Sequence, residues 1–367
     1  MKSKLVVAIF SALALAMWSL PANAATGAVY TLTNSSSGNA VMMFNRSSNG
    51  HLSLGGTFAT GGMGTGAGLG SQGAVILDAS NRYLFAVNAG SNTISVFSVT
   101  FSGLTWVGTT SSYGQNPISL TSFGNMLYVL NDGGAVGGTD TLAGFTVDAN
   151  GNLHNITQGV PLSAASVGPP EVSFNPEGNL LVVTEKGTNN VDIFSLDSMG
   201  NVTGMKTMMS AAETPYGFAF GKRDVLIISD AVGGAANAGA VSSYFVAEDG
   251  SNHTVSGSVA DQQSAPCWIA VTNDGLYAYT TNTGSGTISS YSVGYAGKLA
   301  LMNKSAANLG ASSAPVDMGI SNDSRSLYAL APGTGVIKGF GIGTNGSLTL
   351  QNTVSGAPAS ASGLAVR

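Results

Sequence analysis

Asp, Glu, Lys and Arg make up only 8% of this chain, against roughly 25% in typical globular proteins. A local gathering of charge is therefore informative. Three carboxylates and one amine stand out: Glu171, Glu185 and Asp230, with Lys186 beside them, and Asp132 a little upstream. Glu185 and Asp230 sit where other copies of a repeated segment carry Asn34, Asn88, Asn131 and Asn282. Crowded carboxylates can work as an acid/base pair, because proximity raises the pKa of one of them. Glu171 or Glu185 would then be the base, and Lys186 would orient it or stabilise an oxyanion. Carboxylate and amide oxygens can instead hold a hard cation such as Ca²⁺. The bland alternative is an acidic, hydrated funnel with Lys186 paired to a neighbour. Tyr216, Trp268, Asn282 and Asp317 complete the candidate ligand-binding set with Asp132 and Asp230. Trp268 could stack on a sugar ring or serve as core, and the asparagines could simply cap turns through their own side chains.

Other chemistries find little support. Gly61-Gly62-Met63-Gly64-Thr65-Gly66-Ala67-Gly68-Leu69-Gly70 mimics a dinucleotide loop. No helix is expected after it to present a phosphate, so it reads as a linker. His51, His154 and His253 fall in hairpin regions, with no Ser-His-Asp arrangement in view. The single cysteine, Cys267, excludes an internal disulfide and a cysteine metal cluster. A net charge of -5 without a basic cluster speaks against nucleic acid. No basic amphipathic segment suggests a membrane surface.

The elements that must position these groups come from one recurring pattern. An apolar strand follows a Pro or Gly turn, then a polar turn, then a strand such as Leu127-Tyr128-Val129-Leu130-Asn131. A Gly-rich loop, a third strand and a Gly-x-Leu hairpin close the unit. Pro117, Pro170, Pro215, Pro266, Pro315 and Pro358 mark the period. Residues 28–58 hold three further strands, and Ser362-Gly363-Leu364-Ala365-Val366 holds one. The spacing predicts an all-β, seven-bladed β-propeller of four-stranded blades, whose first blade is closed by the N- and C-terminal strands. Such closure removes exposed sheet edges. A β-helix needs shorter repeats, and a sandwich would not repeat at a blade-sized period. No helix is expected within the propeller.

In such a fold two sets of positions converge on one face of the central funnel. The starts of the inner strands would place Gln72, Asn116, Glu171, Tyr216, Cys267, Trp268, Asp317 and Ser360 there. The ends of the second strands would add Asn34, Asn88, Asn131, Glu185, Asp230, Asn282 and Pro332.

Ahead of the repeats, Lys2 and Lys4, the apolar run Leu5 to Trp18 and Ala22-Asn23-Ala24 read as a cleavable bacterial-type signal over residues 1–24. Residues 25–367 form one domain, expected to be periplasmic or secreted. No other segment approaches the roughly 20 apolar residues of a membrane helix. A monomer with a small molecule in its funnel is expected, with no membrane insertion and no required cofactor.

The stretches GTGAGLGSQGAV, LFAVNAGSNTISVF, VVTEKGTNN, TPYGFAF and PCWIAVTNDGLYAYTTNTGSGTIS resemble the lactonase-type seven-bladed propellers. That family includes 6-phosphogluconolactonases and the fungal carboxymuconate-lactonizing enzymes. The strands also resemble those of exported propellers built on Tyr-Val-Thr-Asn repeats. The resemblance spans residues 25–367 and implies lactone hydrolysis or its reverse. Where family enzymes acting on anions carry Pro-His and Arg-His, this chain has Pro170-Glu171 and Pro215-Tyr216. An acidic funnel repels anionic substrates, so a neutral lactone or related sugar-derived ester is the expected substrate. The alternative is a non-catalytic propeller of the cell envelope that binds a sugar, peptide or cation.

Overall fold

The computed structural model describes residues 25–367. The expected signal segment lies outside the described residues. Seven four-stranded antiparallel sheets make up the described chain, each a blade packed against the next around a central axis. The inner strands are Ser362–Val366 (blade 1), Val75–Leu77, Pro117–Phe123, Val172–Phe174, Pro215–Phe220, Pro266–Val271 and Met318–Ile320 (blade 7). Blade 1 is closed as expected. Its inner strand is C-terminal and pairs with Ala25–Leu32, in the register Val29↔Val366, Tyr30↔Ala365 and Leu32↔Ser362.

Each blade is sandwiched between two others, and the second strands show it. All residues of Tyr83–Asn88, Leu180–Glu185, Val225–Asp230 and Ser326–Ala331 are buried on both faces. Such strands read as continuous β-branched and aliphatic runs rather than as an alternation. The outer strands are largely exposed and carry Ser, Thr, Asn and Lys.

A repeated tyrosine explains part of the sequence period. The hydroxyl of Tyr279 donates to Gly346 O at 3.0 Å, and that of Tyr328 to Gly50 O at 2.8 Å. Tyr128 makes the same bond to Gly200 O. Each accepting glycine sits in the outer hairpin of the next blade and has a positive φ, which a hairpin turn requires and glycine adopts without cost. The tyrosine of one repeat thus latches onto the glycine of the next.

The expectation of no helix needs a small correction. Gly133–Val136, Val232–Gly234 and Pro332–Thr334 form single 3₁₀ turns. They follow the second strands of blades 3, 5 and 7.

Candidate functional site

The glycine-rich segment links blade 1 to blade 2 as expected, but it also crosses the axis. Residues 69–73 touch six blades. Leu69 N donates to Ser362 Oγ on blade 1 (3.2 Å), and Ser71 Oγ to Ile118 O on blade 3 (2.8 Å). Gln72 N donates to Pro170 O ahead of blade 4 (3.1 Å), and Gly70 O accepts from the Tyr216 hydroxyl on blade 5 (2.9 Å). On blade 6, Trp268 Nε1 donates to Ser71 O (3.0 Å), and the Gln72 amide bonds both O and N of Ile269. Gly73 N donates to Asp317 Oδ2 on blade 7 (3.2 Å). This strap divides the centre of the ring into an upper face and a channel below. Its passage requires bare backbone on blade 5. A Cβ on Gly217 would lie 2.5 Å from Gln72 Oε1 and 2.6 Å from Cys267 O. Gly217→Ala should destabilise the protein by about 1–3 kcal/mol, read from urea denaturation. An unchanged midpoint would show that the strap yields freely.

Among the described residues, the upper face carries the one cation of the centre. Lys186, just past the second strand of blade 4, places Nζ 4.7 Å from the centroid of the Tyr216 ring. Among the described residues the only ion pair closer than 4.0 Å is His154–Asp148, far out on a hairpin. Lys186 therefore has no carboxylate at contact distance. Burial lowers its pKa, opposed first by the charge of Asp132 and then by Cys267 and Asp140. Tyr216 packs against Trp268 with centroids 5.2 Å apart, and burial holds its phenol protonated. The Cys267 thiol donates to Ala265 O at 3.2 Å and is pushed up to about 11 by burial.

Asp132 lies at the end of the second strand of blade 3. Burial, reinforced by the charge of Asp140, raises its pKa to about 6. Its Oδ1 is buried without a hydrogen-bond partner, while the Asp140 carboxyl and the Ala135 N–H lie close to the group. Asp140 accepts from Gly134 N and Val167 N, both at 2.7 Å. It thereby holds the 3₁₀ turn and the loop that precedes blade 4 around Lys186.

The remaining sequence candidates do not join this cluster. Glu185 is fully buried in the wall of blade 4 and accepts from Ser163 Oγ (2.6 Å), Ser163 N (3.1 Å) and Thr188 Oγ1. Asp192 lies against it, its pKa raised to about 7 by burial and by the Glu185 carboxyl. Asp230 accepts from Ser242 Oγ (2.5 Å) and Ser210 Oγ (3.2 Å). Asn282 donates to Thr287 and Ser289. These three are members of one repeated tie between the second and third strands, seen also in Asn88 with Ser95. Glu171 and Asp317 lie below the strap and line the channel. Glu171 Oε2 accepts from Phe218 N at 2.6 Å. Asp317 accepts from Met318 N, Leu364 N and Gly73 N. Among the described residues no three His, Cys, Asp or Glu side chains gather as metal ligands.

Sequence reasoning missed Asp140, Asp192 and the strap. Asp192 was within reach: it follows Glu185 by the same step that separates Asn88 from Ser95. Asp140 and the strap had no comparable signal.

Residues 23–134 and 117–220 match the model of a family described as lactonase, seven-bladed β-propeller. Similar solved structures include a periplasmic gluconolactonase of Pseudomonas aeruginosa, 16% identical over 92% of this chain and 99% of that one, with a TM-score of 0.70. A protein of Bacteroides fragilis described as a candidate 6-phosphogluconolactonase is 18% identical over 95% and 99%, with a TM-score of 0.69. A protein of Lactobacillus plantarum is 14% identical over 93% and 99%, with a TM-score of 0.72. At these identities the likeness is one of fold. No curated protein matches the chain.

Proposed function

Because the chain belongs to the lactonase family of seven-bladed β-propellers, we propose that it opens, or in reverse closes, a small neutral lactone on the face that carries Lys186. Asp132 is the general base and Lys186 the oxyanion-stabilising group. The observation that supports this most directly is a cation without a carboxylate at contact distance and, on the adjacent blade, a carboxyl of raised pKa. Lys186 has no carboxylate within 4.0 Å, and Asp132 Oδ1 has no partner.

In hydrolysis Asp132 takes a proton from water as the water oxygen bonds to the lactone carbonyl carbon. The resulting oxyanion faces the Lys186 ammonium. Collapse breaks the bond to the ring oxygen, which leaves with the proton that Asp132 returns. The paired rings of Tyr216 and Trp268 offer an apolar flank for a compact ring. One amine amid Asp132 and Asp140 leaves little attraction for a second negative charge, which favours an uncharged substrate over a phosphorylated one. On the N-terminal signal read from the sequence, the site of action is the periplasm or beyond.

The test is turnover of a panel of unphosphorylated aldonolactones and alkyl lactones. The wild type should hydrolyse at least one. Asp132→Asn and Lys186→Met should each lower kcat/KM by about 10²-fold or more. For the wild type kcat/KM should rise with pH through about 6, the value to which the Asp132 carboxyl is pushed. No turnover above background by the wild type, or full activity in both variants, refutes the assignment.

A further inference from the structure

We propose that the channel below the strap is a second binding site, for a small primary alkylammonium ion seated with its charged end against Glu171. The channel encloses about 400 Å³, within the range of small-molecule sites. It opens on the face opposite Lys186, beside Asp78 and Asn322 in the turns that end the inner strands. Its inner end is closed by Gln72 and Gly73 of the strap.

The walls and the closed end differ in character. The walls are the backbones and small polar side chains of the inner strands, Thr121, Ser122 and Ser173 among them, while Val75, Leu120 and Val172 turn into the cores between blades. Glu171 and Asp317 stand at the closed end, with 6% and 2% of their surface exposed. The two are not equally satisfied. Asp317 receives three backbone N–H groups, whereas Glu171 receives one, on Oε2. No donor among the described residues reaches Glu171 Oε1. The side chain is otherwise buried, so this oxygen faces the channel, where a ligand can supply the partner that the protein does not.

The chemistry of that ligand follows from what surrounds it. An anion would face Glu171, Asp317 and Asp78, with no Lys, Arg or His in the lining. A divalent metal wants six to eight oxygens, and the closed end offers two carboxyl groups, one already saturated. An ammonium group brings three donors and one charge, which the Glu171 carboxyl and the polar, cation-free lining can accept. Burial and the neighbouring Asp317 raise the Glu171 pKa well above its usual range, and Asp317 itself is pushed up to about 7 by burial. A cation bound against Glu171 therefore competes with the proton whose hold burial has strengthened. Binding should tighten as pH rises.

This site stands apart from the lactonase reading, on the other side of the strap. n-Hexylammonium chloride would be titrated into the full chain by calorimetry, with hexyl sulfate and CaCl₂ as comparison ligands. Binding by the wild type is expected, several-fold tighter at pH 8 than at pH 6, at least tenfold weaker in Glu171→Gln, and unchanged in Lys186→Met. Should Glu171→Gln not fold, Ser122→Lys at the channel mouth should weaken binding by repulsion instead. The proposal is overturned by an absence of binding in the wild type or by undiminished binding in Glu171→Gln or Ser122→Lys. Loss of binding in Lys186→Met, or tighter capture of Ca²⁺ or hexyl sulfate than of the amine, overturns it equally. Loss of lactone turnover bears only on the upper face.

Discussion

A chain ending at Ala361 will not reach a stable native state. The five residues Ser362–Val366 are the whole inner strand of blade 1. Removing them takes away the partner of Val29, Tyr30 and Leu32, all three with no exposed surface in the intact fold. It also strips Asp317 of the Leu364 N–H and the strap of Ser362 Oγ. Buried apolar side chains, a full strand ladder and two axial hydrogen bonds go together. Net stability is only about 5–15 kcal/mol for a native protein, and losing two or three large buried side chains alone costs that order. The truncated chain should lack a cooperative thermal transition. A synthetic peptide spanning residues 358–367, added in trans, should restore one. A truncated chain with an unchanged melting temperature would mean that the ring holds without its closing strand.

Raising the pH from 5 to 8 will weaken the fold, opposite to the usual trend in which carboxylates are stabilised by partners. Burial raises Asp132 to about 6 and Asp192, Asp230 and Asp317 to about 7, and Glu171 well above its ordinary range. In the unfolded chain aspartates lose their protons near pH 4. Between about 4 and 7 the folded state therefore binds more protons, and unfolding free energy falls as pH rises. The contribution is complete below the unfolded value and gone above the folded one. Each titrating group weakens the fold by about 1.4 kcal/mol per pH unit. The exposed hairpin aspartates Asp148, Asp197 and Asp249 are shifted the other way by their turn hydrogen bonds, so their influence is confined to pH below about 4. The melting temperature should peak near pH 4–5 and fall by about 5 °C or more by pH 8. Asp230→Asn should flatten the slope, since Asn88 and Asn282 already make the same tie to a serine. A melting temperature that rises across this range would contradict the assignment of these groups as protonated within the fold.

The architecture was legible because each blade repeats its own instructions. The prolines that open inner strands, the buried tyrosine and the hairpin glycine recur with the period, and the strand count at the two ends leaves one blade to be shared. The site was legible only by address. Strand ends do converge on the Lys186 face, but an address does not say which way a side chain turns. Glu185, Asp230 and Asn282 turn into the blade wall, because the third strand offers each a hydroxyl or carboxyl at hydrogen-bonding distance. Glu171 and Asp317 start inner strands, yet they fall below the strap. The strap itself read as a linker because glycines give no pattern of burial, and its partners are carbonyls and side chains spread over the whole chain.

That spread has a kinetic side. The partners of residues 69–73 range from Ile118 to Ser362, so the strap cannot complete its contacts until the last blade is formed. This early segment of the chain waits on contacts of very high sequence separation. Such contacts slow folding. The seating of the strap should be among the latest events, after the blades have their ladders, and the segment written second in the sequence is the one that finishes the molecule.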